Sequence, residues 1–228
     1  MAEPTTVARS TARPGTWPGT WVAERLGVEL RDAGGAVPVH ELAGLALRRN
    51  PRRAHLLVSP VLAKHVPVDP ALALGRTREL ADLVAAELAG APLDLVVGYA
   101  ETATGLGHAV AARLGAPYLH STRRPPAAGE PAATFEEDHS HATTHWLRPL
   151  EPALLEGTGA LLLVDDEIST GRTALNTVRA LHARDAGRRG RYVVAALLDL
   201  RSDDDRAATA ACAAELGVRI DVVALGRG

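Results

Sequence analysis

The chain after residue 70 alternates short apolar runs with segments of helical periodicity, and this alternation limits the possible folds more than any other feature. The apolar runs predict strands at residues 93–98, 118–121, 160–164, 192–198 and 218–224. Apolar residues at helical spacing predict helices at residues 74–88, 104–114, 173–183 and 204–216. Strands separated by helices pair in parallel and are covered on both faces, so we expect an α/β fold with a central parallel sheet flanked by helices.

The first seventy residues are less regular. Residues 1–16 are rich in Pro, Thr, Arg and Gly and are expected to form a disordered tail, with order beginning near Trp17 and Trp21. Local patterns predict a strand at residues 26–30, a turn at 32–35, a paired strand at 37–39, a helix at 40–49 that ends at Asn50 and Pro51, and a strand at 55–59. We assign residues 17–70 to a small N-terminal accessory lobe and residues 71–228 to the core domain.

Composition and charge exclude several classes of function. The formal net charge is −2 and aromatic residues make up 3% of the chain, so it lacks the basic field and the stacking platform typical of nucleic-acid binding. Cys212 is the single cysteine, which excludes an intrachain disulfide and a cysteine-based zinc site. The N-terminus has no signal-peptide core, and the longest apolar run, residues 192–198, is too short for a bilayer. We expect a soluble cytoplasmic protein that binds neither membrane nor nucleic acid.

The most informative motif is LLLVDDEISTGRT at residues 161–173. An apolar strand ends in the carboxylates Asp165, Asp166 and Glu167, at the edge of the sheet where ligands of α/β proteins bind. The turn that follows leads into a helix N-terminus, whose amides suit a phosphate, and consists of Ser169, Thr170, Gly171, Arg172 and Thr173. Acids before a phosphate-binding turn match a diol beside a phosphate, as in ribose 5-phosphate. A capped helix with incidental acids is the alternative.

This segment resembles the signature of type I phosphoribosyltransferases, in which an apolar strand, two acids and a short variable stretch precede Thr-Gly-x-Thr. The resemblance implies that the segment binds phosphoribosyl pyrophosphate (PRPP), with Asp165 and Asp166 accepting hydrogen bonds from the ribose hydroxyls. The turn at residues 169–173 would bind the 5-phosphate. Glu167 departs from the signature, since many members have an apolar residue there. Its charge would either help metal binding or face solvent.

A second junction of strand, polar loop and helix lies at residues 95–107, with the sequence LVVGYAETATGLG. In the family that the chain resembles, this position holds the pyrophosphate-binding loop, whose backbone amides contact the diphosphate. The corresponding residues are Ala100, Glu101, Thr102, Ala103 and Thr104. The resemblance also implies a strained peptide near Ala100 and Glu101. By itself the motif also fits an ordinary capped turn between a strand and a helix.

Residues 123–145 have no clear period and contain two adjacent prolines, so we predict a long loop. Its position matches the mobile loop that closes over the active site in type I phosphoribosyltransferases and excludes water. Arg123 and Arg124 would neutralise the departing pyrophosphate and count as catalytic residues.

Three histidines, His139, His141 and His145, lie close together in the second half of this loop. A zinc site, a solvated loop and contact with a substrate are all compatible with them. In the last case His139 or His141 would donate a hydrogen bond to the pyrophosphate or to the base.

Further segments resemble the orotate phosphoribosyltransferase-like proteins encoded in bacterial tellurium-resistance and stress gene clusters. These segments are LRRNP at 47–51, VSPVLAKHVP at 58–67, GYAETA at 98–103 and FEEDHSH at 135–141. The resemblance implies a hood over the base, where Lys64 is either a base contact or a surface lysine. It also places a base pocket beside Asp199 and Arg201. The base itself is not identified by the sequence.

The reaction that the resemblance implies is transfer of a 5-phosphoribosyl group from PRPP to a nitrogen of a base, with release of pyrophosphate and formation of a nucleotide. Mg²⁺ is the expected cofactor, held largely by PRPP and water and aligned by Asp165 and Asp166. The expected assembly is a homodimer. A regulator that senses PRPP or a nucleotide on the same fold is the alternative, although a charged mobile loop favours an enzyme.

Overall fold

The computed structural model describes residues 20–49, 54–125, 133–136 and 144–228. The N-terminal elements are α1 (Thr20–Leu26), β1 (Gly34–Gly35), α2 (Val39–Leu42), β2 (Gly44–Leu47) and β3 (His55–Val58). The central elements are α3 (Pro70–Leu88), β4 (Leu93–Gly98), α4 (Thr104–Leu114), β5 (Tyr118–His120), β6 (Ala133–Glu136) and β7 (Thr144–Leu147). After a 3-10 turn at Pro152–Leu155 come β8 (Ala160–Ile168), α5 (Arg172–Arg184), β9 (Arg191–Asp199), α6 (Asp203–Leu216) and β10 (Arg219–Arg227).

A six-stranded sheet in the order β1-β10-β9-β8-β4-β5 forms the centre of the molecule. Its strands run parallel, apart from the short edge strand β1, which is antiparallel to β10. Helices α3 and α4 cover one face through Leu80, Val84 and Val110. Helix α5 covers the other face through Val178 and Leu181. The predicted α/β fold with a central parallel sheet flanked by helices is therefore confirmed.

The central strands show why the apolar runs are continuous. In β8, Leu162 and Val164 belong to the core beneath α3 and α4, whereas Leu161 and Leu163 belong to the core beneath α5. Both faces of the strand are buried, so neither set of alternate positions is polar. The five strands and four helices predicted for the core are present, with some ends shifted.

The N-terminal segment corrects the sequence prediction. The predicted strand at residues 26–30 is wrong, because Thr20–Leu26 is a helix and no strand follows before Gly34 in this described stretch. The predicted pairing of residues 37–39 is also wrong, since β1 pairs with β10 instead. Residues 1–16, Trp17, Asn50 and Pro51 lie outside the described residues.

The predicted helix at residues 40–49 is wrong beyond Leu42. Residues Gly44–Leu47 form β2, which pairs with β3 in an antiparallel register from Gly44 opposite Val58 to Leu47 opposite His55. The spacing of Leu42 and Leu45 fits a helix, but both side chains are buried against the core from different elements. Tertiary packing thus overrides the local pattern. The predicted strand at residues 55–59 is confirmed.

Two boundaries near the expected ligand loops also differ. The predicted loop at residues 123–145 contains two strands, because β6 and β7 form an antiparallel hairpin with Phe135 opposite His145. Strand β8 was expected to end before the acidic residues, but it continues to Ile168, with Asp165 opposite Ala196 of β9. The division of the chain at residue 70 stays a prediction. Across the described stretches, no helix combines the length and the apolar character needed to cross a membrane.

Close packing of α4 on β4 depends on Gly107. An added Cβ there would lie 2.9 Å from the Cα of Gly98 and 3.0 Å from the ring of Tyr118. We expect Gly107→Ala to lower the free energy of unfolding by about 1–3 kcal/mol, because the helix must move away from the strand. Gly105→Ala on the same helix is the control, since its added Cβ meets nothing within 4 Å and should stabilise by up to about 1 kcal/mol. Urea unfolding measures both, and equal effects would contradict the packing argument.

Candidate functional site

A cleft opens at the carboxyl ends of β4 and β8. It is lined by the acidic end of β8, the turn into α5 and the loop after β4. Arg123 and His145 approach from the loop and hairpin region, and Leu56, Leu57 and His65 approach from the N-terminal segment. The cleft therefore lies where ligands of parallel α/β proteins bind.

The turn between β8 and α5 forms an amide cradle. Gly171 caps α5 in a left-handed conformation with φ 79°. In the described part of the chain, the backbone amides of Ser169, Thr170 and Gly171 donate no hydrogen bond. Unsatisfied amides at a helix N-terminus are a binding site for a phosphate group. The cradle therefore occupies the position that the sequence predicted for the 5-phosphate.

A buried arginine supports the amide cradle. The Cδ of Arg201 lies 3.2 Å from the position of an added Cβ on Gly171. Its guanidinium donates to Asp199 at 2.9 and 3.0 Å and to Thr209 at 3.0 Å. Arg206 donates to the same Asp199 carboxylate at 2.7 Å. Asp199 and Arg201, predicted as base contacts, pair with each other beneath the turn and do not line the cleft.

Two adjacent carboxylates face the cleft beside this cradle. Asp165 and Asp166 are half-buried, and the amide of Asp166 donates to Asp165 Oδ1 at 3.0 Å. Burial raises the pKa of Asp165 well above its usual value, and the neighbouring charge of Asp166 raises it further. Burial also raises the pKa of Asp166, while a hydrogen bond from Asp165 and the proximity of His65 act in the opposite direction. The pair is therefore suited to a ligand that brings hydroxyl donors or positive charge.

The raised pKa of Asp165 predicts a gain in stability when its charge is removed. A carboxyl whose folded-state pKa exceeds its unfolded value binds more protons when folded, so its contribution to stability is lost as the pH rises through the folded pKa. We expect Asp165→Asn to raise Tm of the ligand-free protein at pH 8 by ~2–4 °C, equivalent to about 1 kcal/mol. The difference should shrink as the pH falls towards 3.8, the unperturbed carboxyl value. Thermal unfolding across pH measures it, and a constant difference would contradict the raised pKa.

The loop after β4 lines the same cleft as the cradle. The peptide bond between Ala100 and Glu101 is cis, at the position where the sequence predicted an unusual peptide. The Ala100 amide donates to Ser121 Oγ at 2.9 Å, and the Ala103 amide donates to the Tyr99 carbonyl at 3.1 Å. These two amides are therefore turned away from a ligand, contrary to the expectation that amides throughout residues 100–104 would contact the diphosphate.

The other residues of this loop also include both amides without a hydrogen-bond partner and groups that stabilise the loop itself. Within the described residues, the amides of Glu101 and Thr102 donate no hydrogen bond, and Thr102 lines the cleft. The Thr104 hydroxyl donates to the Glu101 carbonyl at 2.9 Å and so stabilises the turn. Among the described residues at 100–104, the amides without an intramolecular partner are thus those of Glu101, Thr102 and Thr104.

The two arginines predicted to neutralise pyrophosphate lie in different environments. Arg123 is half-buried, lines the cleft and donates from Nε to the Ala100 carbonyl at 3.3 Å. Arg124 is exposed and does not line the cleft. The geometry places Arg123, but not Arg124, beside the loop after β4.

In the N-terminal segment, the side chain that lines the cleft is not the one that was predicted as a base contact. Lys64 is exposed and does not line the cleft, whereas the adjacent His65 does. The Nδ1 atom of His65 accepts a hydrogen bond from the Ser59 amide at 3.4 Å. His139 and His141 lie outside the described residues.

His65, Tyr99 and His145 also line the cleft. The sequence analysis assigned no role to the first two and left the role of His145 open. Tyr99 is buried and donates from its hydroxyl to Thr177 Oγ of α5 at 2.8 Å. Burial raises its pKa above the usual range, so the phenol stays protonated. A tyrosine directly after an apolar strand was the available signal for one of them, whereas the two histidines are brought in by elements remote in sequence.

A divalent cation would find two carboxylates here. Asp165 and Asp166 present oxygen donors to the cleft and carry raised pKa values, which a cation would relieve. In the described residues no three His, Cys, Asp or Glu side chains converge as a metal site. The donor set therefore fits an ion that takes part of its coordination from the protein and part from a bound ligand.

Several solved structures share this fold. The APRTase of Giardia lamblia, solved with 9-deazaadenine, matches with a TM-score of 0.58 and 19% identity over 83% of this chain and 95% of that one. The adenine phosphoribosyltransferase of Saccharomyces cerevisiae matches with a TM-score of 0.54 and 14% identity over 80% of this chain and 93% of that one. The adenine phosphoribosyl transferase of Trypanosoma brucei was solved with AMP, pyrophosphate and ribose 5-phosphate. It matches with a TM-score of 0.56 and 17% identity over 81% of this chain and 76% of that one. The fold is thus that of type I phosphoribosyltransferases.

The sequence comparison is more specific than these distant structural likenesses. A model of the phosphoribosyl transferase family matches residues 42–228, which include both ligand loops. The chain therefore belongs to the phosphoribosyl transferase family. Among curated protein sequences, none matches the chain significantly.

Proposed function

We propose that this protein transfers the 5-phosphoribosyl group of PRPP to a ring nitrogen of a heterocyclic base and releases pyrophosphate. One observation carries the proposal: a single cleft is lined by the carboxylates Asp165 and Asp166, by the turn at residues 169–171 and by Thr102, and the amides of this turn and of Thr102 are unsatisfied. The cradle at residues 169–171 suits the 5-phosphate, and the amides of Glu101 and Thr102 suit the diphosphate. PRPP carries a diol between two such anionic groups.

The chemistry follows from where charge develops. The bond between C1 of the ribose and the pyrophosphate oxygen breaks, its electron pair leaves with the pyrophosphate, and the base nitrogen forms the new bond to C1. Asp165 and Asp166 accept hydrogen bonds from the ribose hydroxyls and stabilise the positive charge that builds on the ring. Arg123 and the amides of Glu101 and Thr102 stabilise the leaving pyrophosphate. These fixed groups contribute by positioning and electrostatics, without a covalent nucleophile.

Mg²⁺ is the proposed cofactor. When bound, it would neutralise negative charge on the diphosphate and so favour its departure. Asp165 and Asp166 are the protein groups that would hold or orient it, directly or through water. The raised pKa values of both carboxyls support this assignment, since a nearby cation restores their charged form.

The base, the cellular context and the assembly are finer proposals. Similarity of residues 98–103 and 135–141 to orotate-type proteins of tellurium-resistance clusters supports a stress-linked role in the cytoplasm, and the base is left to the screen described below. The structural neighbours named above are adenine enzymes. His65, which faces the cleft from the segment proposed as the hood, is the side chain we assign to base contact in place of Lys64. A homodimer remains our proposal for the assembly.

A substrate screen tests this function. PRPP, Mg²⁺ and single bases, including orotate, adenine and unusual heterocycles, are incubated with the protein, and both pyrophosphate and the mass of the ribosylated product are measured. We expect one base to give stoichiometric pyrophosphate and nucleotide. Binding of PRPP without turnover on any base would favour the sensor instead, and absence of PRPP binding would refute both.

A further inference from the structure

A buried serine–histidine pair lies behind the loop after β4. Ser121 follows β5 and is fully buried, and His145 on β7 is 1% exposed. Ser121 Oγ and His145 Nδ1 are 2.9 Å apart. The same Ser121 Oγ accepts the Ala100 amide at 2.9 Å. Two segments that are distant in sequence therefore meet at the first residue of the proposed pyrophosphate loop.

The direction of these hydrogen bonds follows from the number of protons. The Ala100 amide can only donate, so Ser121 Oγ accepts from it and still has one proton to place. Within the described residues, that hydroxyl has one other partner, His145 Nδ1. With every buried group satisfied, Ser121 donates to Nδ1, which acts as the acceptor.

The pair also holds the orientation of the Ala100–Glu101 peptide. Ser121 accepts the Ala100 amide, and Arg123 Nε donates to the Ala100 carbonyl at 3.3 Å. Both backbone groups of Ala100 are thus held by side chains. The next two amides, of Glu101 and Thr102, donate no hydrogen bond within the described loop.

The hairpin of β6 and β7 fixes His145 in turn. The imidazole stacks on Phe135 with centroids 4.9 Å apart and meets the Tyr99 ring edge-on at 6.3 Å. The hairpin also contacts the helix of the phosphate cradle, because Asn176 of α5 donates to the Glu136 carbonyl at 3.0 Å. The hairpin is therefore tied to both ligand loops of the cleft.

We infer that His145 and Ser121 are positioning residues that hold the pyrophosphate loop in its anion-binding conformation through the Ala100 amide. The inference rests on the proposed function, since it concerns the diphosphate end of PRPP. It predicts a selective effect. Loss of the pair weakens binding of PRPP, which needs both loops, but spares ribose 5-phosphate, which needs only the cradle and the carboxylates.

The test compares two ligands on matched variants by calorimetric titration in the presence of Mg²⁺. His145→Phe keeps an aromatic ring on Phe135 but removes the acceptor. We expect it to weaken PRPP binding roughly tenfold, about 1.4 kcal/mol. Affinity for ribose 5-phosphate should change less than about twofold, or below 0.5 kcal/mol. His145→Asn places an oxygen near the Nδ1 position and should restore most of the PRPP affinity. His108→Phe on the exposed side of α4 is the control for the substitution itself.

The outcomes distinguish failure of the proposed function from failure of this inference alone. If the wild type binds ribose 5-phosphate but not PRPP, the proposed function fails and this inference with it. If the wild type binds both and His145→Phe weakens both equally, or neither, only the positioning role is overturned. Should His145→Phe not fold, Ser121→Ala against His145→Asn makes the same comparison. Ser121→Ala removes the acceptor of the Ala100 amide, so a PRPP affinity equal to that of His145→Asn would overturn the inference.

Discussion

Replacing both Asp165 and Asp166 by Asn should reduce PRPP-dependent turnover by at least about 100-fold, the loss seen when charge stabilisation of a transition state is removed. The asparagine side chains have nearly the same shape, so the cleft should keep its form. The substitution removes the negative charge that stabilises the cationic ribose ring and helps to hold Mg²⁺. The measurement is pyrophosphate release with the base identified by the screen. Ligand-free stability should not fall, because removing a charge from these half-buried groups relieves a desolvation cost.

The matched control is a second pair of adjacent aspartates. Asp203 and Asp204 are exposed in the first turn of α6 and do not line the cleft. Their double replacement by Asn removes the same formal charge and should leave turnover within about twofold, since water and salt largely screen exposed charges. Turnover of the Asp165/Asp166 variant within a few-fold of the wild type would refute the assigned role.

The strands of the core could be predicted from the sequence because both of their faces are buried. Strands such as β4 and β8 are covered on both faces, so their apolar runs are continuous and their ends are marked by polar loops. The N-terminal segment was not predictable in this way. Strand β2 owes its conformation to pairing with β3 and to packing of Leu45 against the core, contacts that local spacing does not encode. The hairpin of β6 and β7 was missed for the same reason.

The features of the site also separate into those that the sequence indicated and those that it could not. The carboxylates and the amide cradle come from one contiguous segment, so residue order alone indicated their neighbourhood. The orientation of single amides could not be predicted, because whether the Ala100 amide faces a ligand depends on Ser121, which lies far along the chain. Asp199 and Arg201 show the opposite case, in which the described contacts do not favour the role that the sequence suggested. Their position after a central strand suggested base contact, but Asp199 and Arg201 satisfy each other beneath the cradle.

Gly171→Ala should weaken binding of ribose 5-phosphate by roughly 10- to 100-fold, equivalent to about 1.4–2.8 kcal/mol. The added Cβ would lie 3.2 Å from the Cδ of Arg201. Arg201 cannot retreat easily, since its guanidinium is held by Asp199 and Thr209. The turn must therefore shift instead, which displaces the unsatisfied amides of residues 169–171 from the phosphate that we propose they bind. Calorimetric titration with ribose 5-phosphate measures the loss.

Gly217→Ala supplies the control for backbone conformation. Gly217 also has a positive φ, 67°, but an added Cβ there meets nothing within 4 Å. Both substitutions place an alanine in the left-handed region and should each cost about 1–2 kcal/mol of stability. Only Gly171→Ala should affect the ligand, because only that glycine belongs to the cradle. Equal affinities of the two variants for ribose 5-phosphate would mean that the phosphate binds elsewhere, since a 5-phosphate held by these amides must respond to their displacement.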